Sequence, residues 1–265
     1  MERRRFDGAQ VPVIGEGTWK LGGREAVQAL RAGLDAGLTH IDTAEMYGTE
    51  ELVAEAIEGR RKEVFLVSKV LPSNATRRGT VHACEQSLRR LRTDRLDCYL
   101  LHWPGSHPLE DTIAGFEDLL RAGKIGSYGV SNFDQDLLRE AVGIAGAGKI
   151  ACDQVLYNLG ERHVEAKLLP VCRELGVALV GYSPFNELDE DGTIGEVAQQ
   201  AGCTPRQAAL AFLTRLPDTF AIPKASRAAH AEQNAGAAKV KLTAAQTARL
   251  DKAYPVKIRA ELPVI

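Results

Sequence analysis

The chain has 265 residues, 45% hydrophobic and 26% charged, which is enough for one large core and matches ordinary globular composition. A net charge of −2 leaves no basic footprint for nucleic acid or an anionic membrane. The basic start MERRRFDGAQ has no apolar h-region after it, and no apolar run approaches the roughly 20 residues of a membrane span, so a cytoplasmic protein acting on small molecules is expected. The cysteines at 84, 98, 152, 172 and 203 are odd in number and scattered, and they read as reduced core thiols.

The segment FDGAQVPVIGEGTW (6–19) reads as a β-hairpin that caps the bottom of whatever follows. Helical and strand patterns then alternate. REAVQALRAGLDAG (24–37) leads into LTHID, ELVAEAIEGRRKE (51–63) into VFLVSKV, and VHACEQSLRRLRTD (81–94) into LDCYLLHW. LEDTIAGFEDLLRAGKI (109–125) leads into GSYGVSN, and DQDLLREAVGIAGAGKI (134–150) into ACDQVLYN. EAKLLPVCRELG (165–176) precedes VALVGYSP, and TPRQAALAFLTRLP (204–217) precedes TFAIPKAS, with Thr204 and Pro205 suited to a helix cap and first turn. KVKLT (239–243), in which Val240 and Leu242 alternate with lysines, is the best candidate for an eighth strand before the helical AAQTARLDKAY. Eight units without a linker predict an α/β fold, a (β/α)8 TIM barrel forming one domain over 1–265.

Two nucleotide-binding look-alikes fail on context. GEGTWKLGG (15–23) starts like a dinucleotide fingerprint, but Lys20 stands where the third glycine belongs and no βαβ unit precedes it. GIAGAGKI (143–150) fits part of a P-loop, yet Ile150 replaces the Ser/Thr that would hold magnesium and a strand follows it.

Several strand patterns end in a reactive or hydrogen-bonding residue, and in a parallel barrel these ends share the mouth where chemistry is done. The first three such strand regions bring Asp42, Tyr47, Lys69 and His102. Singly these residues read as a helix cap, a loop aromatic, a rim lysine and a core histidine. Together they make a proton donor with its tuning apparatus. A phenol near pKa 10 is a weak acid at neutral pH, a neighbouring ammonium lowers it by favouring phenolate, and a carboxylate keeps that ammonium charged. An imidazole N–H can then hold a carbonyl oxygen on which charge builds as hydride arrives.

The ordered set IDTAEMYG, VSKV, LLHWP, GVSNF, VLYN after Gln154, YSP and IPKAS resembles the aldo-keto reductases from about Val11 to Pro255, most closely the bacterial methylglyoxal and diketogulonate reductases. The resemblance implies a metal-free barrel that reduces aldehydes or ketones with NADPH. It makes Tyr47 the general acid, Lys69 and Asp42 its tuning pair, and His102 the residue orienting the carbonyl. Ser131, Asn132 and Gln154 fall where the nicotinamide carboxamide is held, and Tyr182 where its ring stacks. Gly17, Thr18, Ser183, Pro184 and Ile222 join the cofactor set. Lys224, Ala225, Ser226, Arg227, His230, Gln233 and Asn234 hold the adenosine half. Trp19, Met46, His102 and Trp103 line the substrate pocket.

Three departures from the pattern carry expectations. His230 stands where arginine is usual, so NADPH preference weakens and NADH use is admitted. SPFNELDEDGTIGEVA (183–198) is shorter than the usual loop over the pyrophosphate, which predicts faster cofactor release. The short stretch beyond Pro255 leaves the pocket open on one side and favours broad substrate scope, from methylglyoxal and other 2-oxoaldehydes to aryl aldehydes. The resemblance also implies a monomer. The competing readings are a catalytically weak nicotinamide-binding sensor or scaffold on the same fold, and an unrelated barrel lyase or isomerase of phosphorylated sugars. The second would want a glycine-rich phosphate loop after strands seven and eight, of which AIPKAS is a poor version.

Overall fold

The helix-then-strand rhythm becomes a parallel sheet whose strands lie side by side in chain order. The computed structural model describes residues 1–6 and 8–264. An antiparallel hairpin, β1 (Arg3–Phe6) and β2 (Ala9–Pro12), comes first. It is followed by β3 (Glu16–Gly17), α1 (Gly23–Asp35), β4 (His40–Asp42), α2 (Glu50–Ala56), β5 (Phe65–Val70), α3 (Arg77–Arg90) and β6 (Leu96–Leu101). Next are α4 (Leu109–Arg121), β7 (Ile125–Ser131), α5 (Gln135–Ala145), β8 (Ile150–Leu156), α6 (Leu168–Leu175) and β9 (Ala178–Tyr182). The chain ends with α7 (Thr193–Ala201), α8 (Pro205–Leu213), β10 (Thr219–Ala221), α9 (Ala228–Gly236) and α10 (Ala244–Ala253).

Strands β3 to β10 form one eight-stranded parallel sheet. Its edges meet through parallel bridges Ile14↔Ala221 and Gly17↔Lys224, so the sheet curls round into an α/β barrel. Glycine makes that seam possible. A Cβ on Gly17 would lie 2.7 Å from the Ile222 carbonyl oxygen across the seam; Gly15, whose N–H donates to the Ala221 carbonyl at 2.8 Å across it, is pressed from the other side, where a Cβ would lie 2.7 Å from the His40 carbonyl oxygen of β4. The glycines that mimic a dinucleotide fingerprint are therefore seam residues.

Two strand expectations need correction. The hairpin is Arg3–Pro12, not 6–19, because Glu16–Gly17 joins the barrel as its first strand. KVKLT is not a strand. Val240 and Leu242 are half-buried in an irregular link, and Thr243 caps α10 with a capping box shared with Gln246. The helix expected over 51–63 also stops early, at Ala56. Gly59 takes a left-handed φ of 74°, and a short 3-10 turn follows at Arg61–Glu63.

The helices form for local reasons that show in the sequence. Thr204 and Gln207 make a capping box on α8 with Pro205 in its first turn, and the Asp134 carboxylate accepts from the Asp136 and Leu137 N–H groups to start α5. α1 buries Ala26, Val27, Ala29, Leu30, Gly33 and Leu34. Alternate strand residues fill the lumen (Val67, Cys98, Leu100, Cys152, Val180, Phe220) or pack under the helices (Leu66, Tyr99, Tyr128, Val155, Leu179), so both sheet faces are apolar. Phe6 of the hairpin packs edge-on against Phe65 and Phe220, with ring centroids 5.1 and 5.4 Å away, and near His40 at 6.1 Å. Cys84, Cys98, Cys152 and Cys172 are buried free thiols, and Cys203 is half-buried and free.

Candidate active site

Because the strands run parallel, Asp42, Lys69, His102, Ser131, Gln154 and Tyr182 come at or near the C-terminal ends of successive strands and share one mouth. Tyr47 reaches it from a 3-10 turn, Glu45–Tyr47, closed by Gly48 at φ 67°. The Lys69 ammonium donates to Asp42 Oδ1 at 2.5 Å, to the Thr43 carbonyl at 3.0 Å, and to the Tyr47 hydroxyl at 3.5 Å. The Tyr47 hydroxyl lies 3.3 Å from His102 Nε2. Lys69 is 0% and Asp42 1% exposed, so this ion pair is cut off from water.

That burial governs protonation. Desolvation pulls the Lys69 ammonium down, but Asp42 and then Tyr47 more than offset it, and its pKa ends above the ordinary value. His102 is pulled down to about 3, by burial first and the Lys69 charge second, so its imidazole is neutral at physiological pH. Its Nδ1 is buried with no partner among the described residues, which favours placing the ring proton on Nε2, toward Tyr47. For Tyr47 the expectation from sequence is corrected. Burial raises its pKa more than Lys69 lowers it, so the net direction is up and the residue stays a protonated phenol.

The amide-bearing residues interlock. Asn132, at a left-handed φ of 60°, donates from Nδ2 to the His102 carbonyl at 3.0 Å and accepts from the Tyr182 hydroxyl at 2.9 Å. Ser131 Oγ donates to the Gln154 carbonyl at 2.7 Å, and Gln154 Nε2 donates to Asp42 Oδ2 at 2.7 Å. The amide nitrogen of Gln154 thus serves Asp42, a role that no pattern in the sequence discloses.

These groups line a cleft of about 290 Å³ together with Gly17, Thr18, Ser183, Ile222 and Lys224. Trp19, Met46 and Trp103 wall it and remain 39, 45 and 36% exposed. Trp103 packs on His102 at 4.7 Å and Trp19 faces Tyr47 at 6.5 Å between centroids. The lining does not extend to Pro184, Ala225, Ser226, Arg227, His230, Gln233 or Asn234. Arg227 holds the N-cap position of α9, Ser226 and His230 flank it on the exposed surface, and Gln233 and Asn234 lie further along that helix.

Three features escape a reading of the sequence. Lys20 lines the cleft at φ 59°, its ammonium 4.2 Å above the Trp19 ring. Hydroxyls of Thr18, Thr43 and Thr49 form a buried chain at 3.0–3.1 Å beneath Asp42. Arg162 donates to the Tyr254 carbonyl at 2.6 Å and Arg259 pairs with Glu161 at 2.6 Å, so residues 254–259 are held on the loop after β8 and are not among the residues that line the cleft.

A phenol, a neutral imidazole and a buried ammonium–carboxylate pair share the mouth of an α/β barrel, the end at which such barrels do chemistry. Comparison with known proteins specifies it further. The model of the aldo/keto reductase family matches residues 13–255. Methylglyoxal reductase YeaE of Escherichia coli is 44% identical over 95% of this chain and 94% of its own length. Methylglyoxal reductase DkgB of Yersinia pestis is 30% identical over 90% of this chain and 91% of its own. An aldo/keto reductase from Klebsiella pneumoniae, solved in complex with NADP and acetate, superposes with a TM-score of 0.95 at 42% identity, covering 100% of this chain and 99% of that one. The chain belongs to the aldo/keto reductase family and is an oxidoreductase.

Proposed function

We propose that this protein reduces small aldehydes and ketones, 2-oxoaldehydes such as methylglyoxal and aryl aldehydes among them, with NADPH. The observation that carries the reading is a single hydroxyl, that of Tyr47, within 3.5 Å of a buried ammonium and 3.3 Å of a neutral imidazole. The relatives' names support the substrate class, and the NADP complex of the Klebsiella structure supports the cofactor.

The residues present fit a nicotinamide dinucleotide. Asn132 and Gln154 offer amide edges to a carboxamide beside the Ser131 hydroxyl, Tyr182 offers an aromatic face, and Gly17, Thr18, Ser183, Pro184 and Ile222 would bed the ribose and pyrophosphate. Lys224, Ala225, Ser226 and Arg227, just ahead of the N-terminus of α9, would take a 2′-phosphate, with His230, Gln233 and Asn234 along the adenine. His230 lends less charge than arginine would, so NADH serves as a second cofactor. When bound, the cofactor supplies the hydride.

The chain's own residues do the rest. His102 Nε2–H and the Tyr47 hydroxyl hold the substrate oxygen, and Trp19, Met46 and Trp103 orient the carbonyl and exclude water. Tyr47 then donates its proton as negative charge develops there. A phenol held protonated can do this because the nascent alkoxide is a far stronger base. Lys69, kept charged by Asp42, stabilises the phenolate left behind. The same reading makes the chain one catalytic unit, working as a cytoplasmic monomer; among the described residues no helix is long and apolar enough to cross a membrane.

The test is a steady-state screen of 2-oxoaldehydes, aryl aldehydes and ketones with both nicotinamides, followed by loss of reduced-nicotinamide absorbance. Carbonyl-dependent oxidation of NADPH, faster than that of NADH, is expected. Tight nicotinamide binding without turnover on any carbonyl would instead identify a cofactor sensor on this fold.

A further inference from the structure

The distance between Tyr47 and Lys69 decides whether the ammonium can act on the phenol, and at 3.5 Å it is at the long limit of a hydrogen bond. Tyr47 belongs to no strand. It hangs from a turn of three residues, and its ring is half-buried, so something must hold that turn against β5. At its near end the turn is tied by the Thr43 N–H, which donates to the Val67 carbonyl at 2.9 Å. Nearer the phenol, the tie is the side chain of Glu45. Its Oε1 accepts from the Leu71 N–H at 2.5 Å and from Asn74 Nδ2 at 3.1 Å. Leu71 directly follows β5, two residues beyond Lys69, and Asn74 closes the 3-10 turn Pro72–Asn74 after it.

We propose that Glu45 is a positioning residue of the reductase, a carboxylate clamp that fixes the phenol-bearing turn to the lysine-bearing strand. The proposal rests on the reading of Tyr47 as proton donor. One oxygen closes a short ring of contacts: Tyr47 to Glu45 along the turn, Glu45 to Leu71 by hydrogen bond, Leu71 to Lys69 along the strand, and Lys69 back to Tyr47. The clamp is mechanical rather than electrostatic. The charges that act on the Tyr47 proton are those of Lys69 and Asp42, and Glu45 is not among them. What the clamp needs is an acceptor oxygen at that place, charged or not.

This distinguishes the clamp from a charge effect and from a merely structural contact. Glu45→Gln keeps a carbonyl oxygen for both donors, whereas Glu45→Ala removes it. Leu71→Pro removes the opposite partner. Leu71 already has φ −68° and ψ 144°, which proline adopts without backbone strain, so the N–H is removed, with a ring carbon in its place and the half-buried leucine side chain exchanged. Misplacing a reacting group by about 1 Å can cost ~100-fold in rate.

The experiment measures single-turnover and steady-state reduction of methylglyoxal and an aryl aldehyde by the wild type, Glu45→Gln, Glu45→Ala, Leu71→Pro and Tyr47→Phe, with NADPH affinity read from tryptophan fluorescence. Glu45→Ala and Leu71→Pro are expected to lose about 10- to 100-fold in the single-turnover rate. NADPH affinity should stay close to wild type in both, and Glu45→Gln should recover most of the rate. A wild-type rate in Glu45→Ala would overturn the proposal, as would equal damage in Glu45→Gln and Glu45→Ala. If Glu45→Ala does not fold, a wild-type rate in Leu71→Pro overturns it by itself. Turnover retained in Tyr47→Phe would defeat the underlying reading, whereas a dead Tyr47→Phe beside an unaffected Glu45→Ala would defeat the clamp alone.

Discussion

Replacing Lys69 with methionine separates what its charge does for the fold from what it does for the chemistry. The side chain is wholly buried, and Asp42 is 1% exposed with two side-chain donors, Lys69 Nζ at 2.5 Å and Gln154 Nε2 at 2.7 Å. Lys69→Met fills the same volume but leaves a buried carboxylate with one of those donors. Breaking a buried pair in this way costs about 3–5 kcal/mol, whereas replacing both partners with neutral groups is often nearly neutral. At roughly 2–4 °C per kcal/mol for a chain of this size, the single variant should melt about 6–20 °C below the parent. The double variant Lys69→Met/Asp42→Asn should recover most of that loss.

Neutral pH reads the pair undiminished. The folded pKa of Lys69 is raised, so its stabilisation is complete below the ordinary lysine pKa and fades only as pH climbs through the higher folded value. Thermal and urea unfolding of the parent, both single variants and the double give the coupling energy directly. A Lys69→Met protein within about 1 kcal/mol of the parent would refute the claim of a desolvated pair, since that is the range of an exposed one.

Glu16 is buried beneath α1, with neither carboxyl oxygen partnered among the described residues, and burial raises its pKa well above the usual carboxylate value. Stability should therefore fall as pH rises above the ordinary glutamate pKa, by about 1.4 kcal/mol for each pH unit between that value and the raised folded one. Glu16→Gln should flatten that slope in urea titrations run from acid to alkaline pH, and equal slopes would count against it. With His102 neutral down to about 3, the pH profile of kcat/KM should show no limb near the ordinary histidine pKa, and a limb there that disappears in His102→Gln would contradict the assignment. His230→Arg should raise the NADPH-to-NADH ratio of kcat/KM through a lower KM for NADPH, and an unchanged ratio would place the 2′-phosphate elsewhere.

Helices with amphipathic stripes and marked ends, such as 204–213 with its threonine cap and proline, are legible in the sequence because their signals are local. The first barrel strand is not. β3 has two residues, one of them glycine, and it exists because Val13, Gly15 and Gly17 hydrogen-bond across the seam to the region of β10, a contact more than 200 residues away in sequence. KVKLT shows the opposite error, since a period of two over five residues is compatible with a half-buried link. At the site, residue types at strand ends disclose Asp42, Lys69 and His102. Gln154 bonded to Asp42, and Glu45 bonded to Leu71, depend on how two strand ends or two loops approach, and no pattern within either segment reports it. The direction of the Tyr47 pKa is hidden for a similar reason, because the sequence shows the nearby cation but not the depth of burial.

The proposed delivery of the proton by the Tyr47 hydroxyl, with the rest of the cleft binding and aligning, is tested most directly by one measurement: single-turnover reduction of methylglyoxal by Tyr47→Phe, with NADPH affinity measured on the same protein. The hydride-transfer rate is predicted to fall by about 100- to 10,000-fold, the range a positioned acid supplies, with NADPH bound as tightly as by the parent. Reduction at the parent's rate by the phenylalanine variant would contradict it.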